Sequence, residues 1–242
     1  MEIAVHIEDL EFRYPGAPFP IFRGLNLDIR RGARFGLFGP NGAGKTTLMH
    51  LMTGILPCSN GSIRLLGQPP RHASFGFVPQ DLAFYPELTP IQNLEFFGAW
   101  AGLRSVEIRS RARAILGVLG LADVADQRVE KFSGGMKRRL NLAIGVLAEP
   151  PILFLDEPTV GVDVQTGHAI VAYLRELNAR GTTLVYTSHQ LEEAEDLCEE
   201  IALIDEGALI AGGDLHGLLR EHSQGDLQGL FLELTGKAYR DA

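Results

Sequence analysis

Gly39-Pro40-Asn41-Gly42-Ala43-Gly44-Lys45-Thr46 sets small, flexible positions beside one ammonium and one hydroxyl in the spacing G-x-x-x-x-G-K-[ST]. The chemistry of that set is phosphate binding. Glycines let successive backbone N–H groups curl around an oxyanion, and the positive end of the helix that follows favours negative charge. In such a cradle Lys45 reaches the β- and γ-phosphates of a nucleotide, Thr46 places its hydroxyl on Mg²⁺, and Thr47 donates to the α-phosphate oxygens. A functionless glycine-rich turn is the competing reading. The flanks favour the cradle, because an apolar strand pattern, Arg34 to Phe38, precedes the loop and a helical one, Lys45 to Met52, follows it.

A second constellation is Ile152-Leu153-Phe154-Leu155-Asp156-Glu157, an apolar run that ends in two acids. The C-terminal tip of a central strand is where an α/β sheet presents ligands. Asp156 suits direct or indirect holding of Mg²⁺, which takes oxygen ligands, and Glu157 is placed to polarise an attacking water as the principal catalytic base. Without the phosphate loop, two acids capping the segment before Pro158 would explain the pair equally well.

These groups need elements to position them. Ile3 to Ile7 and Leu10 to Tyr14 alternate in period two and read as antiparallel edge strands ahead of the Pro15-Gly16 turn, with another short strand at Leu25 to Ile29. Further strands are expected at Ser62 to Leu66, Ser74 to Val78, Ile152 to Leu155, Thr182 to Thr187, Ile201 to Ile204 and Ala208 to Ala211. A helix at Gln165 to Asn178 separates two very apolar strands, the βαβ pattern of a parallel sheet covered on both faces. The stretch from Asn93 to Ala148 is helical in period and holds no strand. The expected fold is therefore α/β: a P-loop NTPase core with a mainly parallel sheet, an N-terminal antiparallel β subdomain and an inserted helical subdomain. Residues 1–92 and 149–223 are expected to form the nucleotide-binding core with its antiparallel part, 93–148 the helical subdomain, and 224–242 a polar tail expected to be loosely held.

Composition narrows the function classes. With 45% apolar residues the chain builds a substantial core, and 30 acidic against 22 basic residues, net −8, leave no broad cationic surface for nucleic acid. Cys58 and Cys198 stand far apart without metal or CxxC spacing and read as reduced thiols; His216 and His222 match no helical metal pair and read as solvated helix residues. The opening Met-Glu-Ile-Ala-Val-His-Ile-Glu has neither a basic nor an apolar leader region, and the most apolar stretch, Ile144 to Leu155, is broken by Glu149, Pro150 and Pro151. A cytoplasmic protein follows, without a covalent membrane anchor and joined to a membrane only through a partner.

Between the two constellations lies Phe132-Ser133-Gly134-Gly135-Met136-Lys137-Arg138-Arg139-Leu140, which resembles the LSGGQ-like signature of ATP-binding cassette (ABC) ATPases. Ser133 is a good helix N-cap, and Gly134 and Gly135 leave room for a phosphate to approach their amides. The resemblance spans nearly the whole chain. It implies that ATP with Mg²⁺ is bound by the phosphate loop of one copy and the signature of a second copy, in a head-to-tail dimer with shared sites. By the same resemblance Tyr14 looks like the aromatic that stacks on adenine, the alternative being a plain strand residue. Gln80 looks like the Q-loop glutamine that touches Mg²⁺ or water and senses a membrane subunit. Asp163 looks like the D-loop aspartate that communicates across the dimer, or an ordinary N-cap of the next helix, and His189 like the switch histidine at the γ-phosphate. Together with Lys45 and Glu157, His189 forms the expected catalytic set, and Thr46, Gln80 and Asp156 the Mg²⁺ set.

Phe132 and Met136 depart from the commoner leucine and glutamine. The run Met-Lys-Arg-Arg-Leu instead resembles the branch that serves exporters of drugs, polysaccharides and lipids, and the tail Phe231-Leu232-Glu233-Leu234-Thr235-Gly236 agrees with it. The implied partner is a multi-spanning membrane permease, with this chain peripheral on the inner face of the cell membrane. Phe84, Tyr85, Pro86, Leu88, Phe96, Phe97 and Trp100 suit either that interface or the core of the helical part. A soluble ABC-type ATPase with a non-membrane partner is the alternative within the superfamily. A P-loop kinase is a more distant one, against which the Ser-Gly-Gly segment and His189 argue.

Overall fold

The first sheet begins with a strand longer than the sequence pattern indicates. In the computed structural model, which describes residues 2–70 and 75–236, Ile3–Phe12 form one strand, β1, where two were expected. The reason is Asp9, whose positive φ of 46° and exchange of hydrogen bonds with Asn26 make a bulge between Ile7 and Leu10. The bulge reverses the alternation without ending the strand, and Tyr14 lies beyond it. β2 (Phe22–Arg30) and β4 (Asn60–Leu65) pair antiparallel on either side of β1, giving a three-stranded sheet in the order β2-β1-β4.

The second sheet has six strands in the order β5-β6-β7-β3-β8-β9. β3 (Arg34–Phe38), β5 (Gly76–Val78), β6 (Ile152–Asp156), β7 (Thr183–Thr187) and β8 (Glu200–Asp205) run parallel, and β9 (Ala208–Asp214) closes one edge antiparallel to β8. The expected start of β5 at Ser74 lies outside the described residues. Every residue of β6 and β7 is buried, as strands covered on both faces require. One face carries α1 (Lys45–Met52) with the antiparallel sheet, the other α5 (Val164–Ala179) and the remaining helices.

α2 (Pro90–Trp100), α3 (Ser105–Val118) and α4 (Gly134–Val146) occupy the middle of the chain, with two short 3₁₀ turns between α3 and α4. Thr89 and Gln92 form a reciprocal capping box ahead of α2, and Ser133 caps α4. α4 packs on β5 and on the other two helices. α6 (Leu191–Leu197) follows β7.

Residues 224–236, the described part of the tail, depart from their expected looseness. α7 (Leu215–Glu221) and α8 (Leu227–Thr235) are both capped by aspartates, and α8 buries Leu227, Leu230 and Phe231 in the main core. His222 and Gln224 both reach Glu233, at 3.0 and 2.7 Å, and so fasten α8 to the end of α7 at the surface. Residues 237–242 of that tail lie outside the described residues. Cys58 and Cys198 are both free thiols, the first exposed and the second buried. Among the described residues no helix is long and apolar enough to cross a membrane.

Candidate functional site

β3 delivers the chain into the phosphate loop with its last four residues buried, so the loop starts from a fixed point. At Gly39 a Cβ would stand 2.1 Å from the carbonyl oxygen of Ile204, and only glycine fits that approach. Gly44, at a φ of 106°, caps α1 in a conformation that L-residues avoid and starts the helix at Lys45. Lys45 is buried, and its ammonium donates to the carbonyls of Gly39 and Pro40, at 2.7 and 3.1 Å. Burial lowers its pKa, while Glu157 and Asp156 act to hold the charge. Asn41 and Gly42 are exposed, Ala43 is buried, and Thr46 is half-buried at the first turn of α1. Tyr14 sets its hydroxyl 3.2 Å from that of Thr47, which places an exposed aromatic face beside the loop.

β6 and β7 bring the acids to the same end of the sheet. Asp156 is 1% exposed and pairs in register with Thr187, whose hydroxyl donates to Oδ1 over 2.7 Å. The other oxygen, Oδ2, is buried with no hydrogen-bond partner. Glu157 sits at a φ of 53°, a conformation costly for a non-glycine residue, held by hydrogen bonds from its N–H to the hydroxyl and carbonyl of Thr187 at 3.1 and 3.2 Å. Its side chain is buried between two loops: Gln80 donates to Oε2 over 3.0 Å, and His189 Nε2 meets Oε1. Burial raises the pKa of Glu157, Asp156 adds to the rise, and His189, Lys45 and Arg138 oppose it.

Gln80 is thus brought to Glu157, and its own carbonyl accepts from Arg138 on α4. The segment after it is pinned to the helices by two buried asparagines. Asn141 of α4 accepts from the N–H of Ala83 and donates to the carbonyl of Pro79, and Asn93 of α2 brackets both backbone groups of Tyr85. Tyr85, Phe96, Phe97 and Trp100 form a chain of ring contacts of which Tyr85, Phe96 and Trp100 are exposed, whereas Phe84 packs on the core.

Ser133, Gly134 and Gly135 make a separate helix tip. No hydrogen bond among the described residues joins them to residues 39–47, and the atoms nearest to a Cβ on Gly135 belong to Val162, at 3.8 Å. Asp163 caps α5 by accepting from the N–H and hydroxyl of Thr166, at 2.9 and 2.6 Å, and these bonds lower its pKa. The ordinary capping role is therefore filled, and it leaves the Val160–Val162 turn next to the signature.

The donor set fits a magnesium ion. A hard cation that keeps its own water and substrate phosphates needs only one or two protein oxygens. Asp156 Oδ2 is a buried oxygen with its bonding capacity unspent, and among the described residues no cluster of three or more His, Cys, Asp or Glu offers an all-protein metal cage. Asp156 with the hydroxyl of Thr46 and the amide oxygen of Gln80 would hold the ion, which would supply charge neutralisation at the phosphates.

Thr187, Arg138, Asn93 and Asn141 escaped the sequence reading. Thr187 carried one usable signal, a hydroxyl at the C-terminal tip of a strand and two positions before His189. The asparagines carried only their polarity amid helical core positions.

The chain matches the family described as "ABC transporter" over residues 22–160. It is 42% identical over 199 residues to the linearmycin resistance ATP-binding protein LnrL of Bacillus subtilis (strain 168), covering 80% of this chain and 64% of that protein. It is 41% identical over 219 residues to the Nod factor export ATP-binding protein I of Ralstonia nicotianae, covering 88% of this chain and 68% of that one. The chain therefore spans about two thirds of the length of these curated relatives. Among solved structures, an ATP-binding subunit of an ABC transporter superposes with a TM-score of 0.89 at 27% identity, over 96% of this chain and 99% of that one.

Proposed function

The chain belongs to the ABC transporter family, and from that premise we propose that it is the ATP-hydrolysing subunit of a membrane exporter. One observation carries the reading. Glu157, a buried carboxylate beside the free oxygen of Asp156, is held between Gln80 and His189 at the end of the sheet where the phosphate loop opens. A base so placed orients and deprotonates water at the γ-phosphate, while Lys45 and the loop amides stabilise charge on the transferred group. Tyr14 stacks on the adenine, and His189 acts at the γ-phosphate.

The signature tip is the second half of the site. Since Ser133, Gly134 and Gly135 belong to a helix apart from their own phosphate loop, they close over the nucleotide of a second copy in a head-to-tail arrangement, with Val160 to Asp163 of each chain at the seam. ATP then bridges the two copies, and hydrolysis removes the bridge. The exposed aromatics after Gln80 receive a cytoplasmic segment of the permease, and Arg138, Asn93 and Asn141 carry that contact to Gln80 and so to Glu157. The relatives' names, which mention export and resistance, support the direction of transport.

Phosphate release from ATP by the purified chain is the test, with Glu157→Gln and His189→Ala assayed beside nucleotide binding. Both variants are expected to bind ATP and to lose hydrolysis by about 100-fold or more. Hydrolysis by Glu157→Gln at the parent rate overturns the assignment of the base.

A further inference from the structure

Behind the contact of Glu157 with His189 lies a second junction between the same two loops, built from residues outside every motif named above. Tyr186 of β7 is wholly buried, and its hydroxyl donates to Oε1 of Glu193 on α6. Thr159, two residues beyond Glu157 and 2% exposed, donates to the same oxygen over 2.9 Å. The two hydroxyls lie 3.5 Å apart, and Ser188, the neighbour of His189, also hydrogen-bonds that of Tyr186. Burial pushes the carboxyl of Glu193 up, and the two donated bonds and His168 pull it back. Glu193 is half-buried, but the hydroxyls of Tyr186 and Thr159 are fully buried and cost free energy unless their bonds are made, so the arrangement is strongly specified.

The sequence positions give the junction its meaning. Glu193 lies on the first turn of the helix that follows His189, and Thr159 on the turn that leaves Glu157. Neither His189 nor Glu157 stands within a strand or helix, and a tether one turn behind them fixes what their own loops leave free. We propose that Glu193 is a positioning residue for ATP hydrolysis, which sets the separation of His189 from Glu157 by accepting from Tyr186 and Thr159 at one oxygen. The inference rests on the reading of Glu157 as the base. A displacement of about 1 Å at a reacting group costs on the order of 100-fold in rate, so a loosened tether is expected to show in turnover before it shows in binding.

Because both hydroxyls converge on Oε1, glutamine keeps both bonds through its amide oxygen and alanine keeps neither. Steady-state hydrolysis by the parent, Glu193→Ala, Glu193→Gln and Thr159→Val, over a range of Mg-ATP, separates kcat from KM. Glu193→Ala is expected to lose about tenfold or more in kcat with KM within about twofold. Glu193→Gln is expected to recover at least about half the parent kcat, and Thr159→Val to lose about threefold to fivefold by removing a single donor. The inference is overturned if Glu193→Ala keeps kcat within about twofold, if glutamine fails as fully as alanine, or if KM rises in step with the loss. Should the alanine variant not fold, Thr159→Val decides, and an unchanged kcat there overturns it. A parent chain that does not hydrolyse ATP, or a Glu157→Gln variant at full rate, instead refutes the underlying reading.

Discussion

Replacing Thr187 by valine removes one hydroxyl while leaving the β-branched shape that packs in the fully buried strand β7. That hydroxyl donates to Asp156 over 2.7 Å and accepts from the N–H of Glu157 over 3.1 Å. The N–H keeps the Thr187 carbonyl at 3.2 Å and loses little. Asp156 loses the donor to its Oδ1 in a setting where the residue is 1% exposed and its second oxygen is already unpartnered. A hydrogen bond to a charged group contributes about 1.5–3 kcal/mol, and the full value applies where water cannot substitute. The expected cost of Thr187→Val is therefore about 2–3 kcal/mol, measured by guanidinium unfolding without nucleotide at neutral pH and read at unchanged m. Thr187→Ser is expected to recover most of it. A valine variant within about 0.5 kcal/mol of the parent refutes the claim that this hydroxyl holds Asp156 in place.

Three further outcomes follow from other parts of the molecule. Gly39→Ala forces a Cβ to 2.1 Å from the Ile204 carbonyl and so moves the loop; equilibrium dialysis is expected to show ATP affinity down by about tenfold or more, and unchanged affinity would mean the loop tolerates the shift. Phe231→Ala empties a side chain that is 1% exposed and should cost about 3–5 kcal/mol, whereas a loss below about 1 kcal/mol would detach α8 from the core. Glu157 has a folded pKa above its ordinary 4.5, so between the two values the folded chain holds a proton that the unfolded chain has released. Stability contributed by that proton falls as pH rises through this window and is gone above the folded pKa, while hydrolysis, which needs the carboxylate, rises. Urea unfolding should show Glu157→Gln gaining on the parent as pH climbs from the ordinary carboxylate range; a gap that stays constant with pH would contradict the raised pKa.

Much of the fold was legible because its elements are separated by strong signals. β3 and α1 fall at the expected residues, since an apolar strand, a glycine loop and a helical period meet there without ambiguity. The bulge at Asp9 was not legible, because period two continues on either side of it and only the Asn26 contact, seventeen residues away, shows the slip. The order of residues 224–236 was not legible for a related reason. The polarity there is real, but Gln224 and Asp226 spend it on Glu233 and on capping α8, His222 joins Glu233 from the end of α7, and three apolar residues reach the core. Within the site, Lys45, Asp156 and Glu157 were legible from local spacing. Thr187, Arg138, Asn93 and Asn141 act through the fold, and a hydrogen bond made across the sheet or between a helix and a loop leaves no spacing to read.

The central claim is that ATP is held between the lysine loop of one copy and the serine-glycine helix tip of another. Sedimentation of the Glu157→Gln variant with and without Mg-ATP tests it most directly, since a nucleotide that is bound and not consumed keeps the bridge in place. The expected result is one chain without nucleotide and a species of twice that mass with it, lost again when Ser133 is replaced by arginine. A variant that binds ATP and still sediments as a single chain contradicts the account.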